Sequence, residues 1–327
     1  MKVLVAGGAG YIGSHTCKAL AGAGHTPIVY DNLSTGHEWA VKWGPLERGD
    51  LNDSTTLGAV LKKHRPDAVI NFAALAYVGV SMREPTLYYR VNVGGMITLI
   101  EAMRAHDVRS IVFSSSCATY GTPDRVPISE DTRQAPINPY GRTKLIGEMM
   151  LRDACAAHGL GAVALRYFNA AGADAAGDTG EEHDPETHLI PLVLQAAAGL
   201  RPDISVFGTD YDTPDGTCIR DYIHVTDLAA AHVAALAKCA PGKFEAFNLG
   251  TGTGVSNNEI ITRACTVTRR NIPVTPAARR AGDPPRLVAN ASRALAELNW
   301  KPVHSDIGNI LGTAWRWMTE HRQNAMK

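Results

Sequence analysis

The chain has 327 residues, of which 45% are hydrophobic and 20% are charged, and its 32 basic and 32 acidic side chains leave no formal net charge at pH 7. This composition is typical of globular proteins and excludes collagen-like, coiled-coil and disordered classes. A balanced charge provides no net attraction to nucleic acid or to an anionic membrane, so we expect neither as a partner.

The six cysteines are scattered and form neither a CxxC pair nor a zinc-ligand spacing. Free thiols are typical of a reducing compartment, so we expect a cytoplasmic protein without a structural metal. The apolar run after Met1 reaches a glycine cluster at Gly7, which favours a first strand over a signal peptide. The apolar stretches 189–200 and 228–237 are too short to span a membrane.

In the first half of the chain, short β-branched runs alternate with longer helical patterns, as in repeated βαβ units. Strands are predicted at residues 3–6, 27–30, 46–48, 68–72, 110–114 and 162–167. Helices are predicted between them at residues 14–23, 54–64, 87–106 and 140–158. The pattern predicts an α/β fold with a doubly wound parallel sheet of the Rossmann type, covered by helices on both faces.

The alternation fades after Asn169, where two loops rich in glycine, aspartate and proline follow at 172–185 and 209–216. Long loops in a compact domain more often have a function, such as ligand binding, than serve only as connections. Ser256 and Glu259 form a capping box that begins a helix. The other later elements are helices at 227–238, 292–299 and 306–321 and a strand at 246–249. We therefore predict a first domain, 1–168, and a smaller mixed α/β domain, 169–327, from which some segments return to the first.

The stretch from Gly7 to Gly13 follows the first predicted strand and satisfies both GxGxxG and GxxGxxG. Glycines there allow a sharp turn and a close approach to a pyrophosphate, at the start of a helix whose dipole favours negative charge. The second strand ends near Asp31, where a carboxylate accepts hydrogen bonds from an adenosine ribose and repels a 2′-phosphate. The pattern predicts an NAD site in the first domain. Its alternative is a glycine turn before a surface helix, with Asp31 as a helix cap.

Tyr140 and Lys144 are four residues apart and share one face of the predicted helix, which Pro139 starts. The pKa of a tyrosine, about 10, must fall by about three units, or about 4 kcal/mol, before the side chain acts as a base near neutral pH. An ammonium about 5 Å away supplies about 3 kcal/mol, and the positive ring of oxidised NAD can supply the rest. The pair therefore predicts that Tyr140 acts as a proton acceptor. The alternative interpretation is an ordinary amphipathic helix in which the ammonium group of Lys144 reaches solvent.

Three serines, residues 114–116, lie at the end of the fifth predicted strand, at the edge of the sheet where open α/β proteins bind ligands. A hydroxyl in this place can hydrogen-bond the substrate oxygen that Tyr140 deprotonates. The alternative is a set of turn-forming side chains, which we expect for Ser114.

In combination, these residues resemble the extended short-chain dehydrogenase/reductase family, and within it the sugar-nucleotide epimerases. The resemblance rests on GGAGYIGSH, Asp31-Asn32-Leu33, FSSSCATYG, Tyr140-x-x-x-Lys144, Arg166-Tyr167-Phe168-Asn169 and Arg220-Asp221-Tyr222-Ile223-His224-Val225, and it runs from residue 2 to about residue 317. It implies reversible C4 epimerisation of UDP-hexoses, such as UDP-glucose and UDP-galactose, through a 4-keto intermediate with tightly bound NAD.

The resemblance also implies which residues hold each ligand. The implied catalytic residues are Tyr140, Lys144 and Ser116. The implied NAD-binding residues are Gly7, Gly10, Tyr11, Ile12, Gly13, Asp31, Asn32, Asp50, Leu51, Phe72, Ala73, Ala74, Asn92, Tyr140, Lys144 and Tyr167. The implied UDP-sugar-binding residues are Ser116, Tyr140, Asn169, His188, Leu189, Phe207, Arg220, Arg280 and Asp283. The two arginines offer forked donors suited to a diphosphate, although arginines are usually solvated.

The chain departs from the family at three positions. Ala76 stands where some members have a lysine, and Val80 stands where many have an acid, so cofactor retention is expected to differ in detail. Leu287 matches the place where side-chain size limits bulk at carbon 2 of the sugar. A leucine leaves epimerisation of UDP-N-acetylhexosamines or UDP-pentoses open.

Two further functions compete with epimerisation. A sugar-nucleotide dehydratase or decarboxylase carries acidic residues where this chain has Cys117, Ala118 and Thr119. A non-catalytic NAD-binding protein usually lacks the tyrosine or the lysine, and both are present here. Members of the family often pair two long helices from each subunit in a four-helix bundle, so the helices at 87–106 and 140–158 imply a homodimer.

Overall fold

The computed structural model describes residues 1–280 and 283–325, so residues 281–282 and 326–327 of the predicted second domain lie outside the described part. The strands are β1 (Lys2–Ala6), β2 (Thr26–Asp31), β3 (Leu46–Arg48), β4 (Ala68–Asn71), β5 (Ser110–Ser116), β6 (Gly161–Tyr167), β7 (Asn169–Ala171), β8 (Ile204–Phe207), β9 (Ile219–His224), β10 (Phe244–Leu249), β11 (Gly254–Ser256), β12 (Val274–Ala277) and β13 (Arg286–Leu287). The α-helices are α1 (Tyr11–Gly22), α2 (Ser54–His64), α3 (Val78–Arg83), α4 (Pro85–Tyr88), α5 (Gly95–Ala105), α6 (Pro139–His158), α7 (Leu189–Ala197), α8 (Val225–Ala235), α9 (Asn257–Thr268), α10 (Ser292–Glu297) and α11 (Ile307–Ala325). Short 3-10 turns lie at Glu38–Ala40, Cys117–Thr119 and Leu236–Lys238, and a π-helical segment lies at Tyr89–Gly94.

Seven strands form one parallel sheet in the order β10-β6-β5-β4-β1-β2-β3. This confirms the predicted doubly wound α/β fold. Because the order reverses between β1 and β4, a crevice opens at the carboxyl ends of these two strands, where such sheets bind ligands. The edge strand β10 comes from the second half of the chain and pairs with β6.

Both faces of the large sheet are buried. In β1, Leu4 and Ala6 point into a core shared with α2, α5 and α6, whereas Val3 and Val5 point into a second core shared with α1 and α8. Burial on both faces explains why the strands read as continuous apolar runs rather than as alternating ones.

A smaller region continues from the carboxyl edge of the large sheet, since Phe168 alone separates β6 from β7. Strand β9 pairs with β7, β11 and β13, and β8 pairs with β12. Helices α7, α9 and α11 share a third core with β8 and β9. The small sheet therefore lies at the edge where the large sheet binds ligands.

Some elements differ from their predictions. The predicted helix at 87–106 is interrupted, because the π-helical segment separates α4 from α5, and the predicted strand at 110–114 continues to Ser116. Helices α3 and α7 and most short strands of the smaller region were not predicted, since strands of two to six residues have little periodicity. Among the helices of the described ranges, none combines the length and apolarity that crossing a bilayer requires.

Candidate active site

A cavity of about 490 Å³ lies at the carboxyl ends of the parallel strands and extends to the small sheet. Its volume is in the usual range for ligand sites, about 300 to 1,000 Å³. Most of the predicted site residues line it: Gly7, Gly10, Tyr11, Ile12, Gly13, Asp31, Asn32, Asp50, Leu51, Phe72, Ala73, Ala74, Ser116, Tyr140, Tyr167, Asn169, His188, Leu189, Arg220 and Asp283. The fold thus brings the predicted cofactor, catalytic and sugar-nucleotide residues to one cavity.

The glycine loop between β1 and α1 forms one part of the wall. Gly7 has a φ of +78°, and an added Cβ would lie 2.7 Å from the backbone nitrogen of Ala73. A Cβ on Gly13 would lie 2.1 Å from the carbonyl oxygen of Gly7, so only glycine lets α1 pack against the loop. Gly10 precedes α1 without a side-chain cap, which leaves the first amide groups of the helix for another acceptor. The loop therefore fits a pyrophosphate.

Asp31 ends β2 at the same edge of the sheet. Its carboxylate accepts the backbone N–H groups of Ala9 at 3.0 Å and Leu33 at 2.8 Å, one on each oxygen. Burial raises the pKa of Asp31, and these two N–H groups act in the opposite direction. Each oxygen keeps a lone pair for a ribose hydroxyl, so the site fits the adenosine of NAD and opposes a 2′-phosphate.

Helix α6 carries the predicted Tyr-Lys pair. The side chain of Asn138 accepts the backbone N–H of Gly141 at 2.8 Å, and Pro139 occupies the first turn, so the helix begins at a defined place. Tyr140 and Lys144, one turn apart, are both buried. The helix thus presents the pair to the sheet rather than to solvent.

Two glycines let α6 lie close to β5. A Cβ on Gly141 would lie 2.4 Å from the carbonyl oxygen of Ala118, and a Cβ on Gly147 would lie 2.8 Å from the ring of Phe113. Any larger residue at either position would displace the helix or its neighbour. The burial of Tyr140 and Lys144 therefore depends on these glycines.

The charges of the pair support each other. Burial raises the pKa of Tyr140 above its ordinary value, Tyr167 acts in the same direction, and hydrogen bonding to Ser116 acts against both. Burial lowers the pKa of Lys144 to about 7, against the charge of Glu148. The ammonium lies 5.8 Å from the centre of the Tyr140 ring. Opposite charges at this distance attract, so each charge partly offsets the cost of burying the other.

Glu148 lies one turn further along α6, in a buried network. It accepts two hydrogen bonds from Arg166, at 2.9 and 2.6 Å, and one from the hydroxyl of Ser115 at 2.5 Å. Arg166 also donates to the hydroxyl of Tyr120 at 2.8 Å, which donates to Asn248 at 2.7 Å. The network joins α6 to β5, β6 and β10 and holds the helix that carries the pair.

The prediction that Ser114 belongs to a turn is wrong. Strand β5 continues past it, and Ser114 pairs with Leu165 of β6 while its hydroxyl hydrogen-bonds that of Tyr167 at 2.8 Å. Ser116 is the last residue of the strand and lines the cavity. Its oxygen accepts the N–H of Ala118 at 3.1 Å, so its proton is free to be donated.

The part of the wall toward the small sheet carries a guanidinium. Arg220 of β9 forms an ion pair with Asp283, and its side chain is only 11% exposed. Asn169 opens β7, and His188 immediately precedes α7, so both reach the wall from the ends of elements. Forked donors and an amide on one wall suit a nucleotide diphosphate.

Four predicted residues are not on the wall. Asn92 hydrogen-bonds both backbone groups of Leu75, at 2.8 and 3.0 Å, and so supports a wall residue. Lys144 is buried with its ammonium bound to the backbone of β5 at 2.8 Å. Arg280 stacks on Phe207 with 3.9 Å from guanidinium to ring centre, directly before residues 281–282. Their contacts with ligands stay predictions.

The wall also contains residues that the sequence did not single out, among them Tyr77, His183 and Tyr222. His183 lies in the loop at 172–185 that was predicted to be functional, and Tyr222 lies inside the Arg220 motif. Their nearness to predicted residues was the available signal.

A sequence model of the NAD dependent epimerase/dehydratase family matches residues 3–250. The chain belongs to this family. A UDP-glucose 4-epimerase of Rhizobium meliloti (strain 1021) is 52% identical over 323 residues, which cover 98% of each chain. The crystal structure of UDP-glucose 4-epimerase from Brucella ovis in complex with NAD has a TM-score of 0.93 and 56% identity, over 96% of this chain and 97% of that one. UDP-glucose-4-epimerase from Stenotrophomonas maltophila, with bound NAD and formylated UDP-arabinopyranose, has a TM-score of 0.95 and 40% identity over 99% of both chains. These similarities confirm the resemblance that the motifs indicated.

Proposed function

We propose that the protein catalyses the reversible C4 epimerisation of UDP-hexoses, UDP-glucose and UDP-galactose, with NAD tightly bound. One observation carries the proposal: Tyr140 and Ser116 share a single cavity wall with the glycine loop and with Arg220. A sugar nucleotide held at Arg220 can therefore bring a sugar alcohol to the phenol while a dinucleotide occupies the loop. A relative that is 52% identical over nearly the whole chain is a UDP-glucose 4-epimerase.

The residues divide the chemistry among them. Ionised Tyr140 takes the proton of the 4-hydroxyl, Ser116 donates a hydrogen bond to the same oxygen, and Lys144 favours the phenolate. The glycine loop and Asp31 would hold NAD, which would supply the acceptor for the hydride of carbon 4 and the donor for its return to the other face, and its positive ring would favour the phenolate. Tyr140 then gives the proton back to the new hydroxyl.

The anchoring residues leave the sugar free. In the structure Arg220 donates to Asp283 and to the carbonyl oxygen of Ile219, and we assign its guanidinium to the diphosphate once a UDP-sugar is bound. We assign Asn169, His188 and Leu189 to the nucleotide by the same family resemblance. The sugar must turn over between the two hydride transfers, so binding free energy has to come from the nucleotide rather than from the hexose. The same resemblance assigns Phe207, Arg280 and Asp283 to the nucleotide.

The test is to mix the full chain with UDP-galactose, without added NAD, and to measure UDP-glucose and reduced nicotinamide. We expect product with no net change in reduced nicotinamide. Tyr140→Phe should abolish turnover while NAD and UDP stay bound, and Tyr89→Phe, outside the cavity wall, is the matched control. Turnover retained in Tyr140→Phe would remove this residue from the mechanism.

The same assay separates the competing functions. A dehydratase or decarboxylase would consume the UDP-sugar without forming its epimer, and a non-catalytic protein would form no product. Cys117 and Ala118 line the cavity and supply no acid for elimination. Epimerisation is therefore the function that the wall favours.

The sugar range depends on Leu287, which also lines the cavity. We propose hexoses as the preferred substrates. A panel of UDP-galactose, UDP-N-acetylgalactosamine and UDP-xylose should give the highest kcat/KM for UDP-galactose. A higher value for either of the others would contradict this preference.

We also propose that two copies pair through α5 and α6 as a four-helix bundle. Ile97 of α5 is 46% exposed and Met149 of α6 is 53% exposed, and further exposed apolar side chains lie close by in sequence, at Met82 and Leu87. Light scattering should give twice the chain mass of 34.9 kDa. Met149→Glu should shift the mass to that of a monomer, and Val303→Glu, at another exposed apolar residue, should not. A monomeric unaltered protein would refute the pairing.

The proposal also covers the location of the enzyme in the cell and its metabolic pathway. We place it in the cytoplasm, since four of its free cysteines, Cys17, Cys117, Cys155 and Cys218, are buried as thiols. We place it in galactose metabolism because its proposed substrates are UDP-galactose and UDP-glucose. Fractionation of the source cells and growth of a deletion strain on galactose test the two statements.

A further inference from the structure

Four side chains of metal-ligand type converge in the segment between β7 and α7. Glu181, His183, Glu186 and His188 follow the spacing E-x-H-x-x-E-x-H, and one ligand atom from each lies within 4.8 Å of all the others. The side chains of Glu181 and Glu186 are each 7% exposed and that of His183 is 17% exposed. Three of the four side chains are therefore largely buried, whereas that of His188 is 51% exposed and faces the cavity.

The distances within the cluster suit a small cation. Nδ1 of His183 lies 3.3 Å from Glu181 and 3.5 Å from Glu186. Nδ1 of His188 lies 2.5 Å from Glu181 and 3.8 Å from Glu186. Ligand atoms about 2.0 to 2.1 Å from a tetrahedral zinc ion are about 3.4 Å apart. The two separations of His183 are close to this value, whereas the 2.5 Å contact of His188 has to lengthen and one oxygen of Glu186 has to serve both histidines.

His183 supplies an independent observation. Its Nδ1 atom is buried and has no hydrogen-bond partner, although two carboxylates face it. The nitrogen lies within ion-pair distance of both carboxylates but makes a well-aligned hydrogen bond to neither, and a metal ion between the three groups would satisfy all of them. The rings of Tyr11 and Tyr77 meet the His183 ring edge-on, with ring centres 6.3 and 6.0 Å away, and so restrict its orientation.

We propose that these four side chains bind one divalent transition-metal ion, with zinc as the best match, at the wall of the active-site cavity. Imidazole and carboxylate ligands suit zinc, cobalt and nickel, whereas magnesium and calcium prefer oxygen alone. Two carboxylates balance the charge of the ion while both imidazoles bind in their neutral form. The cysteines lack zinc-ligand spacing, but the ligands proposed here are histidines and glutamates, so the spacing of the cysteines does not argue against them.

Neighbouring groups already orient the ligands. The backbone N–H groups of Thr187 and His188 donate to Glu186, at 2.7 and 2.8 Å. Such partners of a ligating carboxylate support metal affinity. Because His183 and His188 both line the cavity, the ion would hold residues 181–188, and with them the beginning of α7, beside the substrate.

The experiment uses the full chain with its bound NAD, treated with a chelator and then titrated with zinc or cobalt. We expect one ion per chain, and a cobalt spectrum with visible d–d bands and no sulfur-to-cobalt charge-transfer band. Because both imidazoles must be neutral, affinity should fall on acidification. No tight binding, or a sulfur-to-cobalt band that indicates cysteine ligands, would overturn the proposal.

Variants locate the ion. His183→Gln and Glu186→Gln should each weaken zinc binding by about 100-fold or more. Replacing a residue that only hydrogen-bonds a metal ligand already lowers metal affinity by about 10- to 100-fold, and these two residues are proposed ligands themselves. Glu182→Gln is the matched control, because this carboxylate pairs with His321 instead of with the cluster, and it should bind zinc as the unaltered chain does. Retained NAD and an unchanged circular dichroism spectrum show that each variant is folded. Unchanged zinc affinity in both cluster variants would overturn the proposal.

Discussion

Replacing Lys144 with methionine removes the positive charge next to the proposed base while keeping a side chain of similar length. The ammonium lies 5.8 Å from the centre of the Tyr140 ring. At an effective dielectric constant of about 20, a unit charge at this distance contributes about 3 kcal/mol, which is about two pKa units. Burial already raises the pKa of Tyr140, and hydrogen bonding to Ser116 offsets this only in part. Since burial lowers the pKa of Lys144 to about 7, part of the lysine is neutral near pH 7, and we expect up to about 100-fold less phenolate and up to about 100-fold lower kcat.

The assay is a pH profile of kcat for UDP-galactose epimerisation, with bound NAD measured in each preparation. Lys144→Met should move the acidic limb upward by about two pH units, so that raising the pH restores part of the activity. Arg142→Met is the control, because this exposed arginine lies on the same helix and faces solvent. If the variant retains NAD and loses activity equally at every pH, the ammonium does not act on the pKa of Tyr140.

Three further predictions concern cofactor choice and stability. Asp31→Ser should weaken NAD binding by about tenfold or more and reduce the preference for NAD over NADP, because a charged acceptor of ribose hydroxyls is lost. Cofactor released from the purified variant and measured by mass spectrometry checks this, and an unchanged preference would contradict it. Glu148→Leu should lower the free energy of unfolding in urea by about 3 to 5 kcal/mol, since it leaves a buried guanidinium unpaired, and a loss under about 1 kcal/mol would show that the pair is unimportant. Burial lowers the pKa of His15, His224 and His232 to about 4. The unfolded chain, with pKa values near about 6.5, then binds protons more tightly, so stability is full above that pH and falls toward pH 4 by up to about 3 kcal/mol for each histidine. His232→Leu should reduce this decline by about a third when unfolding is measured at several pH values, whereas an unaltered decline would argue against neutral burial of His232.

The parts of the site that the sequence predicted depend on local spacing. The glycine loop, Asp31 at the end of the second strand and the Tyr140-Lys144 pair each follow from one short stretch and the element that contains it. The structure places all of them at the edge of the sheet that the βαβ pattern predicts, with Lys144 buried behind the wall. Short-range patterns are sufficient here because a parallel sheet fixes where the ends of its strands meet.

The parts that the sequence did not predict depend on distant partners. Ser114 reads as a turn residue, yet its hydroxyl pairs with that of Tyr167, 53 positions later. Asp221 of β9 is fully buried, and it accepts backbone N–H groups from Gly252 and Ala289, 31 and 68 positions later. A polar residue in a short strand indicates a loop until such partners are known. Helix α7 was missed for a different reason, because a run of nine mostly apolar residues does not distinguish a buried helix from a buried strand.

Gly147 offers a means of adjusting the rate from a distance. It lies two turns from Tyr140 on α6, and a Cβ added there would meet the ring of Phe113 at 2.8 Å and the methyl group of Met96 at 3.6 Å, neither of which takes part in the reaction. A single methyl group added there would push α6 away from the sheet. Since misplacing a reacting group by about 1 Å can cost about 100-fold in rate, a change as mild as Gly147→Ala would slow turnover without altering one chemical group in the cavity.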